Sequence, residues 1–414
     1  MGDNRKMIGQ IIKVALAFVG IIIGAGFASG QEVMQYFVAF GINGLWGAVI
    51  SAVVMTVMAV IILQLGSYFR AGEHGEVFRR VSHPVFSRLL DLGVVLTLFS
   101  TGVVMFAGAG ANLNQQWGLP LGVGAFIMVV LVLAAGMLDV DKVTTVIGAI
   151  TPFILVFITI ASVYTIISGD FSSIDQLNRA SEEVSTTLPN WFVAGVNYTS
   201  FNLMVAVSMA VVIGGNMFNP RVAGRGGLLG GLIYSVLLIV SAVTLFLMVE
   251  TIGGDDVPML SIINELNPAL GQVMAVVIYG MIFNTALGMF YALGRRLTAT
   301  RPGRFRPVYA VAVLVGFVLS FVGFRELVGY VYPVLGYMGL LLIAVMLVAW
   351  GRARVRIYRE SERRMRIVDL LQIGHTGSLS SEEAAALDRE ISDSNLDEQQ
   401  IRSAVGGSGT GPAS

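Results

Sequence analysis

The chain has 414 residues, of which 55% are hydrophobic and only 13% are charged, and its formal net charge is zero. Because a soluble domain carries about 25% charged residues, this composition excludes a soluble globular protein and predicts a polytopic protein embedded in a lipid bilayer. The sequence contains no cysteine, which excludes disulfides and thiolate metal sites, and no cofactor is expected.

Ten segments each approach the roughly 20 apolar residues that a membrane-spanning helix requires. We call them spans 1 to 10, and they lie at 9–40, 45–69, 89–112, 120–138, 141–168, 191–214, 226–250, 270–294, 307–324 and 326–350. Span 1 would be roughly 48 Å long as a straight helix, whereas the hydrocarbon core measures about 30 Å. We therefore expect an all-α fold with ten transmembrane helices, the first of which is strongly tilted or broken.

Lysine and arginine are distributed unevenly among the connections between spans. All of them except Arg179 and Arg325 lie in one set of alternating segments, and short loops rich in these residues stay on the cytoplasmic side. The pattern predicts a multi-pass protein of the plasma (cytoplasmic) membrane with both termini in the cytoplasm.

Two short amphipathic stretches indicate an internal repeat. His74 to Ser87 follows span 2 and Val257 to Leu270 follows span 7, so each occupies the same slot in a five-helix half. The two stretches then fall on opposite sides of the membrane, as an inverted repeat requires; two unrelated loops are the alternative. The predicted parts are a cytoplasmic N-terminus (1–8), a first repeat (9–168), an extracytoplasmic loop (169–190), a second repeat (191–351) and a cytoplasmic tail (352–414).

The tail differs in character from the spans. Residues 352–366 are arginine-rich and suit the headgroup region of the inner leaflet, and the Ser-Ser-Glu-Glu sequence at 380–383 is a capping box that opens a helix over 381–391. A second short helix is expected after Asn395, and disorder is expected over 406–414. We predict a solvated polar extension that is too small to bury a core, with a regulatory role as the alternative.

Span 1 contains Gly24, Gly26 and Gly30 close together, and glycine weakens a helix. Irregular backbone at membrane depth is tolerated where it lines a cavity or is buried in protein. We therefore expect a break that binds the substrate through Ala25, Gly26, Phe27, Ala28 and Ser29. The carbonyls of Gly20 and Ile23, before the break, are expected to face a cation; helix packing through small residues is the alternative.

Span 6 carries a polar patch in the corresponding slot of the second half. We expect it to be the second broken helix, so that helices 1 and 6 together form the site. The predicted substrate contacts from this half are Tyr198, Thr199, Ser200 and Asn202, and Phe106 of span 3 is expected to add apolar lining. The alternative is that the polar groups only bond to neighbouring helices.

Span 8 places Met281, Asn284 and Thr285 on one helix face, since positions i, i+3 and i+4 are neighbours. The side-chain oxygens of Asn284 and Thr285, with the two span 1 carbonyls, form a hard-oxygen set suited to sodium. Hydrogen bonds in helix packing are the alternative.

Glu32 follows the break at membrane depth, where a carboxylate costs about 2.5–3.5 kcal/mol on insertion scales. We expect this residue to take part in coupling or gating, in one of three ways. Its carboxyl carries a proton, or it binds the amine of a substrate, or it pairs with Arg325 to form a gate near the outer interface.

The run from Gly24 to Glu32 resembles the YkvI-like family of membrane proteins, within the amino acid–polyamine–organocation superfamily and its LeuT-like fold. The resemblance implies a five-plus-five inverted repeat and a central site between broken helices 1 and 6, flanked by helices 3 and 8. It also implies a sodium site, which falls by position on Gly20, Ile23, Met281, Asn284 and Thr285. LeuT-like sodium symporters carry a gating arginine after the break, where this chain has Gln31 and Glu32, so sodium and proton coupling both stay open.

These features predict an ion-coupled secondary transporter, a symporter that moves an amino acid or a related small zwitterion or organic cation by alternating access. A ligand-sensing receptor on the same fold, without transport, is the alternative. No Gly-x-x-x-x-Gly-Lys-Ser/Thr loop for nucleotide binding and no ring of carboxylates for a channel filter is evident, and an enzyme is not expected. We expect a small-molecule substrate and the bilayer as partners, with no nucleic acid and no partner protein.

Overall fold

The computed structural model describes residues 2–137, 151–168, 171–376 and 379–406. Within these ranges the chain is helical apart from short connections, and no β-strand occurs in them. The helices are α1 (Gly2–Ile22), α2 (Ala25–Ser29), α3 (Gln31–Tyr36), α4 (Ile42–Phe69), α5 (His74–Val81), α6 (Pro84–Trp117), α7 (Leu121–Met137), α8 (Thr151–Ser168), α9 (Ile174–Glu182), α10 (Trp191–Asn216), α11 (Pro220–Leu247), α12 (Val249–Ile252), α13 (Pro258–Leu266), α14 (Pro268–Leu297), α15 (Phe305–Ser320), α16 (Phe324–Thr376), α17 (Ser381–Ser392) and α18 (Glu398–Gly406). The predicted start of span 5 (141–150) lies outside the described residues. Of the predicted disorder over 406–414, residues 407–414 also lie outside them, and Gly406 is the last residue of α18.

Seven of the described helices are long and apolar enough to cross a membrane: α4, α6, α10, α11, α14, α15 with the turn before it, and α16. Three shorter apolar helices, in α1, α7 and α8, complete the set. Each helix corresponds to one of the ten predicted spans. The prediction of an all-α, multi-pass membrane protein is therefore confirmed.

The helices run up and down between two ends of the bundle. At one end Ser67 of α4 donates to the carbonyl of Met217, between α10 and α11, at 2.7 Å. At the other end the Gln115 amide of α6 donates to the carbonyl of Val257, before α13, at 3.0 Å. We call these the inner and outer ends. The short helix α5 lies at the inner end and α13 at the outer end, which is the arrangement predicted for an inverted repeat.

Glycines allow the backbones of α4 and α10 to pack directly against each other. A Cβ atom on Gly66 would lie 2.4 Å from the carbonyl oxygen of Val211, and one on Gly214 would lie 2.3 Å from that of Leu63. No side chain fits in these gaps. In lipid the hydrophobic effect does not drive helices to associate, so close packing of their backbones is what stabilises a membrane bundle.

The structure corrects the prediction of a solvated tail. α16 continues unbroken from span 10 to Thr376, and α17 and α18 form at the two predicted positions, α17 with the predicted capping box at Ser380. These helices fold back and bury a small core of their own, formed by Ile367, Leu387, Leu396 and Ile401 against Phe218. The prediction failed because each helix offers only a short apolar stripe, and the stripes amount to a core only when the helices meet.

Candidate functional site

Span 1 is broken where the glycines predict it. α1 ends at Ile22, Gly24 is extended with φ −95° and ψ −177°, and the short helix α2 begins at Ala25. A second interruption separates α2 from α3 at Gly30, where φ is +83°. The left-handed conformation at Gly30 favours glycine because a Cβ atom is strained there. The break in helix 1 is confirmed.

The predicted break in helix 6 is wrong. The helix α10 runs without interruption from Trp191 to Asn216. Its polar side chains bond back onto the preceding turn: Ser200 donates to the Val196 carbonyl at 2.7 Å, and Asn202 donates to the Tyr198 carbonyl at 3.0 Å. Such bonds satisfy side-chain polar groups inside a continuous helix, so a polar patch is not sufficient evidence for unwinding.

A cavity of about 210 Å³ lies beside the break in span 1. Its walls come from the end of α1, the starts of α2 and α3, and from α6, α10, α14 and α16. Nine of the predicted site residues line it, and they are Gly20, Ile23, Ala25, Gly26, Glu32, Asn202, Met281, Asn284 and Thr285. The break and the face of span 8 are thus brought together, and their roles in binding stay predictions.

The other predicted substrate contacts in α2 do not line the cavity. Phe27 packs against Tyr234, with ring centroids 5.8 Å apart. Ala28 is completely buried, and the Ser29 hydroxyl donates to the Gly26 carbonyl at 2.7 Å. Because α2 is only one turn long, one face meets the cavity and the rest of the turn packs on neighbouring helices.

Four further predicted contacts are also engaged elsewhere. Thr199 pairs with Ser51 of α4 at 2.8 Å, and Ser200 bonds within its own helix. Phe106 stacks on Phe290 of α14, with centroids 5.0 Å apart. Tyr198 is not part of the cavity lining, and its hydroxyl is bonded to Glu32.

Glu32 is the acidic side chain of the cavity lining. It is buried, and its Oε2 accepts a hydrogen bond from the Tyr198 hydroxyl at 3.3 Å. Its Oε1 lies in the space above Gly26, 1.8 Å from where a Cβ atom would stand. Arg325 donates instead to the carbonyls of Gly253 and Gly254, at 3.2 and 3.0 Å. The structure therefore does not support a Glu32–Arg325 gate.

Two unpartnered hydroxyls that the sequence did not single out also line the cavity. Thr101 of α6 and Tyr332 of α16 are buried, and their hydroxyl oxygens have no hydrogen-bond partner among the described residues. The remaining unpredicted lining is mostly apolar: Ile21, Ile22, Gly24, Met105, Phe201, Val205, Ala206, Met209, Gly288 and Met289. Tyr332 lies beside Pro333 in the first third of span 10, and this proline was a signal that could have drawn attention to it.

The cavity is open toward the inner end and closed toward the outer end. Its lining includes Met209, which is 57% exposed, and Gly288, which is also exposed; both lie toward the inner ends of their helices. On the outer side the rings of Tyr36 and Phe37 each pack 5.0 Å from Tyr198, and all three are buried. The aromatic cluster closes the outer side of the cavity, and the exposed part of the lining lies on its inner side.

Oxygen donors suited to a hard cation also border the cavity. Asn284 and Thr285 lie on its α14 wall, opposite the end of α1 that carries Gly20 and Ile23. Among the described residues, no group of three or more His, Asp or Glu side chains is placed to hold a metal ion. The set fits a weakly held monovalent cation better than a transition metal.

The sequence of the chain is similar to that of another membrane protein. It is 24% identical to YkvI of Bacillus subtilis (strain 168) over 339 residues, which cover 82% of this chain and 96% of YkvI. No model of a protein family matches the chain.

The fold is similar to those of solved transporters. The inward-facing conformation of Mhp1 matches with a TM-score of 0.60 and 14% identity, over 84% of this chain and 77% of Mhp1. MhsT in complex with L-phenylalanine matches with a TM-score of 0.54 and 14% identity, over 95% of this chain and 94% of MhsT. The resemblance predicted from the sequence, to the YkvI-like membrane proteins with a LeuT-like fold, is therefore confirmed.

Proposed function

We propose that the chain is a secondary transporter that moves a small organic solute across the membrane by alternating access. The observation that carries this proposal is the cavity beside the broken span 1, which is sealed at one end of the bundle and open at the other. A binding site between helices that opens to one side at a time is what alternating access requires. Transporters such as Mhp1 and MhsT, whose fold the chain shares, support the same conclusion.

We infer that the substrate is an amino acid or a related small zwitterion or organic cation. The buried carboxylate of Glu32 would attract an ammonium group, because an isolated charge at membrane depth is stabilised by an opposite one. The hydroxyls of Thr101 and Tyr332 and the Asn202 amide offer hydrogen bonds to the other polar groups of such a solute. MhsT, solved with L-phenylalanine, binds a solute of this class.

We infer further that an ion gradient drives transport, through sodium or protons. Sodium would be held by Asn284 and Thr285 with the carbonyls of Gly20 and Ile23, and a proton would be carried by Glu32. Thr285→Ala should then weaken dependence on sodium, whereas Glu32→Gln should alter the pH dependence. The concentration of arginines and lysines in one set of connections supports a location in the cytoplasmic membrane, with the inner end facing the cytoplasm.

A ligand screen followed by flux measurements tests the proposal. Thermal unfolding of the purified protein is recorded with amino acids and amines, each with and without sodium, since a ligand that binds only the folded state raises its stability. The stabilising solute is then offered to proteoliposomes under a sodium or a proton gradient. Uptake that depends on a gradient supports the proposal. Saturable binding without any flux would overturn it and favour the ligand-sensing receptor.

A further inference from the structure

Arg364 is a buried arginine at the inner end of the bundle, outside the cavity. Its guanidinium is 0% exposed and donates to the carbonyls of Ser67 at 3.0 Å and Tyr68 at 2.9 Å, at the end of α4. It also donates to the carbonyl of Phe218, between α10 and α11, at 2.7 Å. A buried guanidinium is costly unless its donors are satisfied, so this residue fixes the extension of α16 to two separate elements of the bundle.

The tail completes the same network. Arg364 donates to Glu360 Oε1 and to Asn395 Oδ1, each at 2.9 Å. Asn395, in the connection between α17 and α18, donates in turn to the Tyr68 carbonyl at 2.8 Å, and Ser394 donates to Glu360 Oε1 at 2.6 Å. Both the helix extension and the folded-back tail are thus bonded to the end of α4.

An apolar contact reinforces these bonds. Ile367 of α16 and Ile401 of α18 are completely buried in the small tail core, and Phe218 of the bundle packs against that core. The ring of Phe218 also lies 5.5 Å from the Arg364 guanidinium carbon. The tail is therefore docked on the α10–α11 connection through packing as well as hydrogen bonds.

The helix α16, to which the tail is bonded, contacts helices on both sides of the cavity. On α16, Tyr332 stacks on Phe201 of α10 with centroids 4.0 Å apart, and Met338 packs against α6 at Gly93. To close the inner opening, α10 must move toward α14 and α6. Because α16 is one continuous helix fastened to the inner ends of α4 and α10, we expect such a movement to tilt α16 against α6 or to break the fastening.

We propose that α17, α18 and the end of α16 from Glu360 onward form an intramolecular brace that favours the inner-open arrangement of the bundle. The brace acts on the conformational equilibrium between inner-open and inner-closed states, and its release shifts that equilibrium toward closure. The proposal rests on the alternating-access function, since it concerns the same movement.

A thiol reporter at the inner opening measures the equilibrium directly. The chain has no cysteine, so Met209→Cys introduces a single thiol on the exposed cavity wall, and its rate of reaction with a water-soluble maleimide reports the open fraction. In full-length protein, Arg364→Met should lower this rate about fivefold relative to the reporter alone, as the open population falls. Limited proteolysis of the tail, run in parallel, reports release of the brace.

Arg366→Met is the matched control, because Arg366 lies on the same helix, is exposed and, within the described part of the chain, bonds only to Glu390 of the tail. It should leave both the labelling rate and the proteolysis unchanged. Ile401→Asp opens the tail core without touching Arg364, and it should reproduce the fall in labelling even if the arginine variant fails to fold.

A tail released in either variant while the thiol reacts at the unchanged rate would overturn the brace. So would an Arg364→Met protein whose tail stays protected and whose labelling is unaltered. Labelling needs no solute, whereas the proposed function is tested by solute flux, so failure of one is distinguishable from failure of the other.

Discussion

At the scale of single residues, Glu32 occupies space that only glycine at position 26 leaves free. The carboxylate would collide with a Cβ atom at Gly26, whereas a Cβ atom at Gly24 meets nothing within 4 Å. Gly24 and Gly26 therefore have different structural roles. Gly26 admits the carboxylate to the cavity, and Gly24 keeps the cavity wall open at the break.

The collision makes Gly26→Ala a test of the Glu32 position. The added methyl must displace the buried carboxylate, and overpacking of this kind costs about 1–3 kcal/mol. We expect a lower midpoint of thermal unfolding in detergent for Gly26→Ala and an unchanged one for Gly24→Ala. Combining Gly26→Ala with Glu32→Ala should restore the lost stability. Equal midpoints for the two single alanine variants would contradict the contact.

Gly288 allows the cavity to be filled from its open side. A Cβ atom there also meets nothing within 4 Å, so Gly288→Val should leave thermal stability unchanged while it occupies solute space. We expect binding of the solute found in the ligand screen to weaken about tenfold or more, measured by titration calorimetry, which corresponds to about 1.4 kcal/mol. Unaltered affinity would place the solute elsewhere.

At the scale of elements, the contrast between helices 1 and 6 shows what sequence patterns can predict. Glycine density predicted the break in span 1 because glycine lowers the cost of leaving the helix and permits the positive φ at Gly30. The polar patch of span 6 was a poorer guide. Serine, threonine and asparagine can satisfy themselves on the preceding turn, as Ser200 and Asn202 do, and the helix then needs no break.

The interruption between α2 and α3 depends on Gly30. Its φ of +83° and the backbone nitrogen of Met259, 3.2 Å from a Cβ position, both oppose a side chain. Gly30→Ala should lower the free energy of unfolding by about 1–3 kcal/mol. Gly254→Ala, where a Cβ atom meets nothing within 4 Å, is the control in the same unfolding assay. A Gly30→Ala protein as stable as the control would mean that α2 and α3 join without strain.

His74, on the helix α5 at the inner end, should make the stability of the protein depend on pH. Burial, aided by the nearby positive charge of Arg296, lowers the pKa of His74 to about 4 from 6.5, although Asp91 acts in the opposite direction. The folded state therefore binds fewer protons than the unfolded state between these values, so stability rises with pH across that window. The thermal midpoint should fall as pH drops from 6.5 toward 4, and His74→Gln should flatten the profile. An equally steep profile in the variant would assign the effect to other groups.

At the scale of the whole molecule, composition and periodicity were sufficient for the ten spans and the repeated halves. The walls of the cavity were harder to predict, because they come from faces of helices distant in sequence. Thr101 and Tyr332 line the cavity from α6 and α16, and neither lies in a recognisable motif. The tail core was missed for the same reason, since Phe218 and Ile401 are neighbours only after folding.

Alternating access requires that the cavity beside Glu32 exchange a solute between the two sides of the membrane. Counterflow measures this exchange: proteoliposomes are preloaded with the unlabelled solute from the ligand screen and diluted into a trace of the labelled solute. We expect a transient accumulation of label inside the proteoliposomes, and we expect Gly288→Val to abolish it while the variant remains folded. Saturable binding of that solute with no accumulation of label in the unaltered protein would contradict alternating access.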